Sequence, residues 1–171
     1  MKKFYILSIG IIFLISTCAS SVQAASTVKQ ITQNVRNFEA SYKRSGHFEV
    51  TVWDMNANIL SKDTTPPYEV IVNGNFSKDR ECFDAKYSLF EIMKRLYTDS
   101  SLKNKIARVK VTIPYQLRAS LGSEDAAGLN WNNFKHSLFW RTLLKYKSYE
   151  WESGPLSQRT YGVKINQACY K

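Results

Sequence analysis

Apolar residues recur in two rhythms along this chain. Val28, Ile31, Val35, Phe38 and Tyr42 follow a 3-4-3-4 spacing, which puts them on one stripe of a helix. Ser26 can accept from the first free N–H groups and Gly46 lies just past the end, so a helix from Ser26 to about Arg44 is predicted. Phe48, Val50 and Val52 then alternate with Glu49, Thr51 and Trp53, the pattern of a half-buried strand. Pro66-Pro67 breaks the chain, and Tyr68 to Val72 reads as a second strand closed by Asn73-Gly74, a turn signal.

The longer rhythm returns with Leu89, Phe90, Ile92, Met93 and Leu96 inside a helix from Phe83 to Tyr97. Ser77, Asp79, Glu81 and Asp84 lie around its start and Lys94 and Arg95 near its end, a polarity that suits the helix dipole. Ala107, Val109, Val111 and Ile113 alternate with Arg108, Lys110 and Thr112, a third strand that Pro114 ends. Residues 116–130 carry no clear pattern. An aromatic-rich helix is expected from about Trp131 to Lys147, and after the Gly154-Pro155 turn Tyr161, Val163 and Ile165 mark a last strand. The order α-β-β-α-β-α-β predicts a single α+β domain: a mostly antiparallel sheet of about four strands, with three main helices packed on one face.

The amino terminus has a different composition. Lys2 and Lys3 precede an uncharged apolar run from Phe4 to Ile15, and Val22-Gln23-Ala24 supplies small residues at a cleavage site. That is the pattern of a cleavable signal peptide over residues 1–24. The run is too short to span a bilayer, which takes about 20 apolar residues. Ile15-Ser16-Thr17-Cys18 loosely resembles a lipoprotein box, but Thr17 stands where such boxes carry Gly or Ala, so Cys18 is expected to leave with the peptide. The compact Lys-Lys leader suggests a bacterial source. A mature domain over residues 25–171, secreted or periplasmic, is therefore expected, with no repeat or linker to divide it.

Export changes how the cysteines are read. Cys82 and Cys169 remain, and an even count in an oxidising compartment predicts a disulfide between them. It would close a loop of about 88 residues, contributing about 4–5 kcal/mol in the chain-entropy description.

Loss of Lys2 and Lys3 lowers the Lys/Arg count from 24 to 22 against 14 Asp/Glu, a formal net charge of +8 spread along the whole mature chain. Such an excess favours encounters with polyanions. Strand alternation puts Arg108, Lys110, Lys164 and Trp53 on polar faces, a surface for phosphate or carboxylate groups. Lys29, Arg36, Lys43 and Arg44 flank the apolar stripe of the first helix, the composition of a helix that lies on a membrane surface, and stand as the alternative contact. A small secreted hydrolase of the nuclease type would need a base and an acid beside a cation, for which His47, Glu49 and Arg108 are the candidates. His136 is expected to be an ordinary surface residue of its helix. No HExxH, GxSxG, clustered Cys/His, phosphate-cradling Gly loop or EF-hand loop occurs, so no cofactor, metal or catalytic group is assigned. Asn75-Phe76-Ser77 is a formal glycosylation sequon, relevant only in a eukaryotic secretory route.

The expectation is an exported basic binding protein, a secreted effector being one form of it, with lipid headgroups such as phosphoinositides, acidic glycans or an acidic protein surface as partner and nucleic acid less favoured. The alternatives are the hydrolase and an interaction or inhibitor protein whose charge is incidental.

Overall fold

The computed structural model describes residues 26–44, 46–55, 66–75, 82–114, 117–134, 136, 139 and 163–165. The first helix, α1, covers residues 26–41 and ends a turn short of Arg44, with Gly46 at a positive φ of 78° where the chain reverses into the sheet. Strand β1 (His47–Trp53) pairs antiparallel with β2 (Tyr68–Asn75). Helix α2 (Cys82–Thr98) then crosses over, so that β3 (Ile106–Ile113) lies parallel to β2. Strand β4 (Leu117–Gly122) returns antiparallel beside β3, the one-turn helix α3 (Ser123–Ala127) follows, and the three-residue β5 (Val163–Ile165) pairs antiparallel with β4. Among the described residues the strands form one mixed sheet in chain order. The α+β class holds.

Three local expectations change. Asn73-Gly74 is not a turn: β2 runs on to Asn75, and Gly74 sits buried opposite the buried Phe48. The ladder with β1 satisfies the backbone there, and a glycine leaves room beside the aromatic ring. Second, β4 lies inside the segment that looked patternless. Leu117, Ala119 and Leu121 do alternate with Arg118, Ser120 and Gly122, but Ala, Ser and Gly lack the branched and aromatic bulk that marks a strand. Third, Trp131 to Asn133 form a turn, and the helix begins later, with His136 and Phe139 helical. Most of the expected Trp131–Lys147 helix, the signal peptide and Cys169 lie outside the described residues.

The core lies between one face of the sheet and helices α1 and α2. Phe48 and Val52, Val70 and Val72, Val109, Val111 and Ile113, and Leu117, Ala119 and Leu121 supply the sheet side. Ile31, Val35 and Phe38 descend from α1, and Leu89, Met93 and Leu96 from α2, which packs on β3 and β4. Phe38 meets the ring of Phe48 at 6.1 Å.

Polar ties fix the helices to the sheet and to each other. The Tyr42 hydroxyl donates to Asp84 Oδ1 at 2.5 Å, and Arg44 Nη2 lies 3.2 Å from Asp84 Oδ2, so the end of α1 is held to the first turn of α2. Burial, and then the Asp84 carboxylate, push the Tyr42 phenol up to about 12. At the other end of α2, Val109 N–H donates to the Tyr97 hydroxyl at 3.0 Å, and that hydroxyl donates to the Leu121 carbonyl. Val109 and Leu121 are register partners, so the phenol is inserted into the β3–β4 ladder.

Candidate binding face on the sheet

Alternation sends the second set of strand side chains to the face away from the core, and register sorts them into rows. Trp53, Glu69, Arg108 and Gly122 form one row across β1 to β4. Thr51, Ile71, Lys110 and Ser120 form the next. Glu49, Asn73, Thr112 and Arg118 form a third, which Lys164 of β5 extends by pairing with Arg118. Trp53, Arg108, Lys110 and Lys164, drawn from three separate strands by sequence alone, thus occupy register positions of a single face.

Their environments differ. Arg108 is only 4 % exposed, and its Nη1 lies 3.7 Å from Oε1 of Glu69, which is fully buried. The cation expected to lead the face is therefore an internal ion pair. Burying two charges is tolerated because each is set against its opposite. Trp53 is half-buried, with its indole N–H shielded and lacking a hydrogen-bond partner. Lys110 is half-buried, whereas Arg118 is exposed and makes no hydrogen bond or ion pair among the described residues. The hydroxyls of Thr112 and Ser120 are shielded from solvent and have no hydrogen-bond partner among the described residues, and Ser120 as a whole is 6 % exposed.

The charge of the face is uneven as a result. Glu49 lies at the β1 side, Glu69 is matched by Arg108, and the described positions of β4 carry no acid. Cations prevail from β3 to β5. Sequence reasoning missed Glu69, because the apolar run around it hides its parity, and it missed Arg118 and Ser120 together with their strand. The signal for the last two was the alternation with Leu117, Ala119 and Leu121.

The other candidates are not assembled. The apolar stripe of α1 is consumed by the core, so α1 has no apolar side to offer a membrane. Of its cations, Lys29 and Lys43 are exposed, Arg36 is bound to Glu39 at 2.7 Å, and Arg44 is tied to Asp84. His47 and Glu49 share the polar parity of β1, but Arg108 aligns with Trp53, six residues along and two strands across from His47. That separation is about 20 Å along the strand alone. His47 Nδ1 instead sits 3.0 Å from Arg36 Nη1 and 3.4 Å from Glu39 Oε1. His136 is not a simple surface residue: its half-buried ring stands edge-on to Phe83 and Tyr87, at 4.9 and 5.0 Å. Among the described residues no three His, Cys, Asp or Glu side chains gather as metal ligands, and no helix is long and apolar enough to cross a membrane.

Comparison with known proteins finds no matching family model, curated protein or solved structure. Function is accordingly argued from this face.

Proposed function

We propose that the protein is an exported, non-enzymatic binding protein that engages an anionic partner through the β3–β5 side of the sheet face turned away from α1 and α2. The observation that carries this reading is the arrangement of Lys110 and Arg118 on adjacent strands of one face, with Lys164 paired to Arg118 and no acid on the described positions of β4. Arg118 replaces Arg108 as the principal contact, because the Arg108 charge is already opposed by Glu69. Outside the cytoplasm the accessible anions are lipid headgroups, acidic glycans and acidic proteins. Three clustered cations concentrate them at one place, where a dispersed +8 would not.

The test compares two charge reversals of the mature chain, K110E/R118E/K164E and K29E/R36E/K43E, for binding to anionic vesicles and to heparin. Each lowers net charge by six, so a bulk effect weakens both alike. The sheet-face variant should lose binding strongly while the α1 variant keeps most of it, and binding should fall with salt. The opposite ranking would refute the assignment. Binding that is absent before any mutation would favour the interaction-protein or hydrolase readings.

The proposal includes export after cleavage at Ala24 and a Cys82–Cys169 bridge. Topology supports the bridge. Strand β5 runs parallel to β2, so Ile165, four residues before Cys169, ends at the side of the sheet from which β2 leads towards Cys82 at the start of α2. About 14 Å of sheet separates the two strands, a span that the intervening residues can cross at about 3.4 Å each. Intact mass should match a chain that begins at Ala25 and be lower by two hydrogen atoms than the reduced form. Two thiols that react after denaturation alone would refute the bridge.

A further inference from the structure

Lys110 is paired with Ser120 and Thr112 with Arg118, so on two adjacent strands two cations occupy one diagonal of a square and two hydroxyls the other. Directly paired positions on one sheet face lie about 5 Å apart at Cβ and diagonal ones about 7–8 Å, so a small oxyanion placed between the two hydroxyls can reach both. Both hydroxyls are shielded from water and neither has a partner among the described residues. A buried hydroxyl without a partner is a destabilising feature that requires an explanation.

We propose that Thr112 and Ser120 form the seat of a phosphate monoester group, with Lys110 and Arg118 at the positions paired to them and Lys164 next in register to Arg118. This rests on the reading of the face as an anion-binding surface and names the group it receives. The two hydroxyls, the Arg118 guanidinium fork and the Lys110 ammonium all supply donors, and no carboxylate occupies a position of this square. A monoester presents three terminal oxygens and nearly two negative charges, enough to take both hydroxyls and the fork at once. A carboxylate has two oxygens and one charge, and a sulfate ester carries only one charge. Binding beside the exposed Arg118 exchanges two orphaned hydroxyls for two charge-assisted hydrogen bonds.

The deciding variant is T112V/S120A in the mature chain, which removes both hydroxyls and leaves every charge in place. Soluble inositol trisphosphate and phosphatidylcholine vesicles carrying phosphatidylinositol bisphosphate supply the monoester from two sources. Heparin and phosphatidylglycerol vesicles are anions that lack it. The variant should bind both monoester probes at least about tenfold more weakly, with little change for heparin or phosphatidylglycerol. A loss confined to the bisphosphate vesicles assigns the seat to a headgroup in a bilayer, and a loss with both assigns it to the free group as well. The conservative exchange T112S/S120T keeps both hydroxyls and should retain affinity, which guards against a folding defect in the first variant. Unchanged trisphosphate and vesicle binding in T112V/S120A overturns the seat. If K110E/R118E/K164E still releases heparin in that case, the anion-binding reading survives its loss. Failure of the unmutated chain to bind any of the four probes overturns both.

Discussion

Arg108 and Glu69 should behave as a structural unit, and a double-mutant cycle can establish this independently of any ligand. Their closest nitrogen and oxygen lie 3.7 Å apart, with Glu69 fully buried and Arg108 4 % exposed. At that distance, and at an effective dielectric of about 20, their attraction is about 4–5 kcal/mol. Desolvation of two ions consumes much of this, so the intact pair contributes little net stability. Removing one partner is different, because it leaves the other charge buried and uncompensated. Arg108→Met should therefore cost about 3–5 kcal/mol, while E69M/R108M should return to within about 1–2 kcal/mol of the unmutated protein. Urea unfolding followed by circular dichroism gives each free energy, and with each single removal costing about 3–5 kcal/mol the coupling between the two sites should be at least about 4 kcal/mol. In the binding assays R108M, where it folds, should weaken anion affinity far less than Arg118→Met. An R108M cost below about 1 kcal/mol, together with a large loss of anion binding, would refute the reasoning and return Arg108 to the ligand site.

Two further perturbations address the rest of the frame. Tyr97→Phe deletes the hydroxyl that joins Val109 N–H to the Leu121 carbonyl, and should cost about 2 kcal/mol, or about 4–8 °C in melting temperature; an unchanged melting temperature would mean that the ladder closes without it. Asp99 accepts from Asn34 at 2.6 Å, Gln30 at 2.9 Å and both the backbone and hydroxyl of Ser101. Burial alone would raise this carboxyl, but those hydrogen bonds outweigh it and hold it at about 2. Because the folded value is depressed, its stabilisation is complete above about pH 4 and fades as pH falls through about 2. Asp99→Asn should thus cost about 1 kcal/mol at pH 7, after solvent screening of a part-exposed group, with the two proteins converging at pH 2; a gap that persists at pH 2 would show that charge is not the cause.

Much of the fold could be read from periodicity, and the failures have specific causes. The stripe from Ile31 to Phe38 and the alternation from Val109 to Ile113 are long and strongly apolar, and both reach the core as expected. Strand β4 escaped because its inward positions include Ala119 and its outward ones Ser120 and Gly122, residues whose small size suits close packing but carries no strand preference. Asn73-Gly74 misled in the opposite sense: a local turn signal was overridden by a ladder formed with Glu49 and Phe48, more than twenty residues earlier in the chain. Parallel pairing of β2 with β3 was hidden for a related reason. Periodicity identifies the buried face of a strand but not the direction of its neighbour.

The binding face was half legible, and the missing half follows from that same limit. Parity within β3 correctly put Arg108, Lys110 and Thr112 on one side, yet parity within a strand says nothing about which residue lies opposite. Glu69 stands beside Arg108 only because α2 brings β3 back parallel to β2; an antiparallel return would have altered which residues met across the strands. The same crossover leaves β3 with its other edge towards β4, where Lys110 meets Ser120 and Thr112 meets Arg118. One topological step therefore does two things: it neutralises the cation that sequence ranked first, and it opens the partners of the next two positions to small and basic residues. If the proposed seat is correct, the affinity of this face depends less on the total of +8 than on that crossover, since shuffling the same cations among neighbouring strands would leave the hydroxyls without a charge beside them.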